Sequence, residues 1–261
     1  MASVARPLAG RTALVTGVSR SDGIGFAIAT RLAMLGARIV IHGHEQADAE
    51  YLGIDTRGAV EKVLHELRTV DPGVVFIAAD FADPGAPGAV VAEAAAARGA
   101  LGILVANHAR SSADTLDDVT AEELDLSFAV NARATVLLAQ AFARQHVPGR
   151  PGRLVLMTSG QHGSAMPGEL AYAVSKGAIH QMTRTLAAHL MGRGITVNTI
   201  NPGPTATGWA DEATTADVME AMPAGRWGMP ADAARVIGLL CLDEASWVTG
   251  QVIDADGGFS L

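Results

Sequence analysis

Tyr172 and Lys176 stand four residues apart in a stretch with helical apolar spacing, so their side chains share one face. A phenol with a pKa of about 10 is a poor proton donor or acceptor near neutrality. An ammonium beside it favours the phenolate and lowers that pKa. Such a pair could give a proton to a carbonyl oxygen or take one from an alcohol, although the same spacing also describes a plain solvated helix face. Ser159 ends the preceding apolar run. A hydroxyl there could hold the same oxygen beside Tyr172; alone, it reads equally as a capping or turn serine.

The first apolar run ends in Thr16-Gly17-Val18-Ser19-Arg20-Ser21-Asp22-Gly23-Ile24-Gly25, and a helical pattern begins inside it. Glycines there let the backbone turn tightly and approach a pyrophosphate, which then rests on the helix N-terminus. Gly17, Ser19, Arg20, Gly23, Ile24 and Gly25 are the candidate contacts. An ordinary strand-to-helix turn has the same look. The position, after a first strand and before an amphipathic helix, favours the nucleotide reading.

These groups need a scaffold, and the chain supplies one. Apolar, β-branched runs at 12–16, 38–42, 74–78, 102–106, 153–158, 195–200 and 251–254 read as buried strands. Continuous runs without alternation suit parallel strands covered on both faces. Between them lie helical stripes such as Ile24, Ile28, Leu32, Leu35 and Ile179, Met182, Leu186, Leu190. Gly36 and Gly192 stand where helix C-termini are expected. Alternation of strand and helix implies right-handed crossovers and one doubly wound sheet. In such a sheet the carboxyl ends of the strands line the ligand crevice, and Ser159 falls at one of them. No linker divides the chain, so residues 1–261 form a single α/β domain. Longer excursions are expected at 43–57 and 202–230.

The composition bounds the function. A net charge of −8, with 19 scattered basic residues, argues against nucleic-acid binding. Lys62 and Lys176 are the sole lysines, which makes Lys176 conspicuous. One cysteine, Cys241, allows no intrachain disulfide and suits a reducing compartment. The Ala-rich stretch 89–97 is too short and polar to span a bilayer, and the N-terminus lacks an apolar leader. A soluble cytoplasmic protein is expected.

Taken together, the Gly-rich turn, Asp80, Asn107, Asn131, Ser159, Tyr172-x-x-x-Lys176 and Pro202-Gly203 resemble the short-chain dehydrogenase/reductase family, in its order and over nearly the whole length. The resemblance implies a Rossmann fold, with a mostly parallel seven-stranded sheet and helices on both faces. It implies hydride transfer between a nicotinamide cofactor and a ketone or secondary alcohol. Ser159 would orient substrate, Tyr172 would be the acid/base, and Lys176 would hold the nicotinamide ribose and tune Tyr172. Asn131 would help position a relay water, or kink its helix, or both. Asp80, with Phe81 beside it, would meet the adenine; Asn107 would steady the sheet next to the cofactor. Pro202, Gly203, Thr205 and Thr207 would wrap nicotinamide and phosphates, unless the two threonines are plain loop residues. A homotetramer is also implied, with the last strand and the 171–192 helix at interfaces.

Two departures from the family pattern stand out. Five residues separate Gly17 from Gly23, where three are usual, making a longer lip over the phosphates. The usual Asn-Asn-Ala-Gly is Ala106-Asn107-His108-Ala109, and His108 either shapes the pocket or packs under the loop.

An acid at the end of the second strand would bind the adenosine 2′-hydroxyl and repel a 2′-phosphate. That place reads His42-Gly43-His44, with Glu45 after it. Arg20 could meet a 2′-phosphate and His44 assist it, which favours NADP(H) over NAD(H). Against this, Arg20 could face solvent and Glu45 reach back. His42-x-His44 also shares a strand face as metal ligands would, but a structural zinc wants four ligands, and no metal is expected.

The substrate pocket is expected from 108–114, 160–170 and 207–222, which offer Gln161, His162, Met166, Trp209 and Met222. The C-terminal half resembles the 3-oxoacyl-thioester (acyl-carrier-protein) reductase branch, which also holds reductases of unrelated ketones. Two alternatives stand beside ketone reduction. One is an enoyl-thioester reductase, whose relatives usually space Tyr and Lys seven apart. The other is a catalytically silent NADP(H)-binding sensor or scaffold, which would be expected to lose at least one of Asn131, Ser159, Tyr172 and Lys176.

Overall fold

The computed structural model describes residues 6–46, 49, 56–210 and 212–261. The expected leaderless N-terminus at 1–5, part of the 43–57 excursion, and Asp211 lie outside the described residues.

Seven strands form one sheet: β1 Thr12–Thr16, β2 Arg38–Gly43, β3 Val75–Ala78, β4 Leu101–Ala106, β5 Gly152–Met157, β6 Ile195–Asn201 and β7 Val252–Asp254. Their order is β3-β2-β1-β4-β5-β6-β7, and every pairing is parallel. The sheet is thus wholly parallel rather than mostly so. β1, β5 and β6 are buried along their whole length, as the uninterrupted apolar runs require.

Helices cover both faces. α1 Ile24–Met34, α2 Ala59–Leu67 and α8 Pro230–Cys241 close one core with Ile28, Leu32, Val63 and Ile237. α3 Ala86–Arg98, α5 Ala134–Gln145 and α6 Leu170–Leu190 close the other with Val90, Leu138, Phe142 and Ile179. The short α4, Ala121–Ser127, runs through a π-helical turn at Phe128–Arg133 into α5. The resulting stretch 121–145 is long and apolar enough to cross a bilayer, but 56% of its most apolar window is buried inside the protein.

Two expectations need correction. α1 ends at Gly36, whose φ of +100° is the left-handed stop anticipated there. At the end of α6, however, Gly192 lies inside a 3₁₀ turn, and the left-handed residue is Gly194, with φ +75°. The excursion at 202–230 holds a helix, α7 Glu212–Ala221. None of its residues is buried, so it has no apolar stripe to betray it.

Candidate active site

The order of strands reverses between β1 and β4, where crossovers leave in opposite directions and a crevice opens at the carboxyl ends. The residues singled out from the sequence gather along that edge.

At β1 the turn is held from β4. Asn107 Nδ2 donates to the carbonyls of Thr16 and Gly17, both at 3.0 Å. Gly17 has φ +72°, and a Cβ on Gly25 would stand 2.3 Å from the Gly17 carbonyl oxygen. Gly17 and Gly25 are therefore demanded by packing of helix on strand. Gly23 is not: its nearest neighbour to a Cβ would be Arg20 O at 3.5 Å. Gly23 precedes α1, whose N-terminus has no side-chain cap. Uncapped N–H groups at a helix start suit an anionic group.

His108 belongs to the scaffold. It is 7% exposed, and its Nε2 lies 3.0 Å from the Val130 carbonyl, which can only accept. Nδ1 is then the acceptor for Thr16 Oγ1 at 2.7 Å. Burial holds its pKa well below the ordinary value, so the ring is neutral. Phe81, 3% exposed, stacks on His42 with centroids 4.0 Å apart and meets His108 edge-on at 4.6 Å. Its ring therefore serves packing, and so does His42, which bonds Ala79 O at 3.0 Å. His44 instead stands 3.9 Å from Asp80, on the partly exposed rim. The two imidazoles of the His42-x-His44 pair are thus engaged with different partners.

At the end of β2, a Cβ on Gly43 would meet Phe76 at 3.1 Å and Ser19 at 3.2 Å. The place where an acid was sought is thus close against the glycine turn. Arg20 reaches across to the loop after β6. Its Nη2 donates to the Thr207 carbonyl at 3.2 Å, and Nη1 lies 3.5 Å from Asp22.

On the other flank, α6 carries Tyr172, half-buried, and Lys176, 2% exposed. Lys176 Nζ donates to Met157 O at the end of β5 at 3.0 Å and lies 5.6 Å from the Tyr172 ring centroid. Burial lowers its pKa to about 8. Ser159 follows β5 in extended backbone, φ −143°. Thr158 Oγ1 bonds the Lys176 carbonyl at 3.0 Å, tying strand to helix.

Asn131 sits, fully buried, in the π turn. Its amide accepts from Arg110 N at 2.7 Å and donates to Arg110 O and Ser175 Oγ, both at 2.8 Å. Ser175 Oγ in turn donates to Tyr172 O at 2.7 Å. The kink reading of Asn131 is thus realised, and the amide links the 110 loop to the Tyr172 turn. Asp114 caps α6, with Oδ1 accepting from Ala171 N at 2.8 Å. Nearby Glu169 has a raised pKa, through burial first and then the Asp114 charge.

Pro202 and Gly203 follow β6, and a Cβ on Gly203 would stand 2.4 Å from Asp256 Cβ. Thr205 is 4% exposed and spends its hydroxyl on Gly203 O at 3.1 Å, as a loop threonine would. Trp209 Nε1 bonds Thr205 O at 3.0 Å, and its ring leans on Trp227. A cavity of about 350 Å³ is lined by Met222, Arg226, Asp232, Val236 and Asp256. Met222 faces that cavity, which does not include Ser159, Tyr172 or Lys176.

Sequence reasoning missed Thr16, Ser175 and the bonding role of Gln161. Thr16 Oγ1 also accepts from Asn107 N at 3.0 Å. Its only sequence signal was a hydroxyl at the end of a buried apolar run. Ser175 lay one residue before Lys176 and Gln161 two after Ser159, with no pattern to mark them.

Residues 17–260 match the family model described as enoyl-(acyl carrier protein) reductase. The chain is 38% identical over 251 residues to the uncharacterized oxidoreductase YjdA of Bacillus subtilis, covering 95% of this chain and 96% of that protein. It is 37% identical over 261 residues to an NADPH-dependent aldehyde reductase-like chloroplastic protein of Arabidopsis thaliana, covering 97% and 95%. Among solved structures, a short-chain dehydrogenase from Burkholderia cenocepacia in complex with NADP superposes with a TM-score of 0.86. It is 34% identical, and the match covers 98% of this chain and 100% of that one.

Proposed function

The chain belongs to the short-chain dehydrogenase/reductase family, and from that premise we propose that it reduces a ketone or oxidises the corresponding secondary alcohol with NADP(H). The observation that carries this reading is the buried Lys176 ammonium, anchored on Met157 O and 5.6 Å from the Tyr172 ring.

The cofactor supplies or accepts the hydride. The uncapped start of α1 suits its pyrophosphate, and the Lys176 cation favours the Tyr172 phenolate. Tyr172 gives its phenolic proton to the carbonyl oxygen in reduction and removes the hydroxyl proton in oxidation. Ser159 donates to the same oxygen and so favours the negative charge that develops on it. Asn131, expected to steady a relay water, serves this proposal by holding the Tyr172 turn through Ser175.

NADP(H) is supported by Gly43 where an acid would repel a 2′-phosphate, by His44 on the rim, and by the NADP and NADPH in the names of related proteins. The enoyl-reductase wording of the family model is weighed against the one-turn spacing of Tyr172 and Lys176, which favours carbonyl chemistry. A homotetramer is supported by exposed apolar side chains on the expected faces, Val174 on α6 and Trp247 before β7; light scattering giving a monomer mass would refute it.

The test is consumption of NADPH and of NADH across ketones, 3-oxoacyl thioesters and enoyl thioesters, with Tyr172→Phe as control. Turnover of a ketone that Tyr172→Phe abolishes, with cofactor binding spared, is expected. Turnover retained in Tyr172→Phe, or confined to enoyl substrates, overturns the reading.

A further inference from the structure

Ser159 is held by two side chains from the short 3₁₀ turn that follows it. Gln161 Oε1 accepts from Ser159 N at 3.2 Å, while its Nε2 donates to Thr158 Oγ1 at 3.0 Å. From the other side, His162 Nδ1 lies 3.2 Å from Ser159 O. Both main-chain polar groups of Ser159 are thereby engaged, leaving its hydroxyl as the group turned to other work.

His162 has a second partner. Its Nε2 lies 3.1 Å from Asp254 Oδ1, at the end of β7. Asp254 Oδ1 also accepts from Asn201 Nδ2 at 2.9 Å, and Asn201 Oδ1 accepts from Gly203 N at 3.1 Å. A carbonyl and a carboxylate can each only accept, so both bonds of His162 are complete only when both ring nitrogens carry hydrogen. That species is the imidazolium.

The groups facing His162 decide whether the charge is tolerated. Asp254 supplies the compensating anion. His180, on α6, stands ring to ring at 5.1 Å, and its own pKa is lowered by burial, then by His162 and Arg184. Burial thus disfavours charge on His180.

We infer that His162, as an imidazolium bridging Ser159 O and Asp254, is a positioning residue that holds the Ser159 hydroxyl for the reaction, with Gln161 holding the opposite side. This rests on the reading of Ser159 and Tyr172 as the reacting site. A His162 ring lacking one of its two hydrogens would keep only one of the two bonds and hold Ser159 less firmly.

Two isosteric changes separate the bonds. In His162→Asn the amide nitrogen stands near the place of Nδ1 and keeps the Ser159 bond without titrating. In His162→Gln it reaches toward Asp254 and gives up Ser159. The Asn variant is expected to keep kcat within about threefold of wild type. The Gln variant is expected to lose about tenfold in kcat, the worth of one charge-assisted hydrogen bond, with KM for NADPH unchanged. Equal kcat in the two variants overturns the inference. The ¹⁵N shifts of the His162 ring read double protonation without turnover: a neutral ring at pH 6 sinks the inference whatever the activity. Activity surviving in Tyr172→Phe sinks the reading of the site instead, so the two failures are distinct.

Discussion

Arg20 and Thr207 join the glycine turn to the loop after β6, the guanidinium donating to the Thr207 carbonyl at 3.2 Å. The sequence left Arg20 between a 2′-phosphate and solvent. In the fold it instead spans two segments expected to flank the cofactor, with Asp22 at its other nitrogen. An arginine used as a clasp acts on what both cofactors share.

Arg20→Ala is therefore expected to raise Kd for NADPH and NADH alike, by about fivefold to tenfold for one lost hydrogen bond to a charged donor. Isothermal titration with both cofactors decides. A loss confined to NADPH would return Arg20 to the 2′-phosphate.

The glycines of the turn carry unequal demands. Gly25→Ala pushes a methyl to 2.3 Å from a backbone oxygen and 2.7 Å from Asn107 Nδ2. It is expected to cost about 2–4 kcal/mol, as overpacking against backbone does, and to abolish cofactor binding. Gly23→Ala meets nothing closer than 3.5 Å and is expected to stay within about 1 kcal/mol of wild type. Urea denaturation of both variants checks the contrast, and equal losses would refute it.

Lys176 is buried at a cost. Its folded pKa is lowered to about 8, whereas the unfolded chain keeps the proton up to about 10.5. Below pH 8 the folded state must hold a charge that burial disfavours; as pH rises from 8 to 10.5 the unfolded state binds more protons, and this penalty is relieved. At pH 7 Lys176→Met is thus expected to be at least as stable as wild type, the lost bond to Met157 O offsetting part of about 3 kcal/mol. Turnover should fall by about 10³-fold or more. The affinity of wild type for NADPH should decline as pH rises through about 8 and that of the variant should not. A variant less stable by more than about 1 kcal/mol would contradict the cost of burial.

The fold and the pairing of Tyr172 with Lys176 were legible because they are local. A strand of continuous β-branched residues and two side chains one turn apart depend on near neighbours in sequence. The same holds for Asn107, one residue past a strand end. What was hidden depends on contacts between distant segments. Asn131 grips Arg110 across 21 residues, and Thr16 Oγ1 donates to His108 across 92. The direction of Arg20 depends on Thr207, 187 residues away. His108 could not be assigned from its neighbours because its neutrality comes from burial against β1 and the π turn. Helix α7 escaped notice for the opposite reason, since it buries nothing and so leaves no period in the sequence.

Neutral burial of histidine also lowers the stability of the fold in acid. His42 has its pKa lowered to about 4, by burial first, and His108 is held well below its ordinary value. Both are depressed in the folded state. As pH falls below about 6.5 the unfolded chain takes up protons that the folded one refuses, so stability is lost in that window. At pH 5 His42 alone is expected to remove about 2 kcal/mol relative to pH 7.5, and His108 shifts stability in the same direction. Urea denaturation at the two pH values measures the sum. His42→Phe, which keeps a flat ring against Phe81, should remove the His42 share while sacrificing the bond to Ala79 O. A flat stability profile between pH 7.5 and 5 in wild type would mean that the unfolded and folded states bind these protons equally, and the buried histidines would then have to be charged.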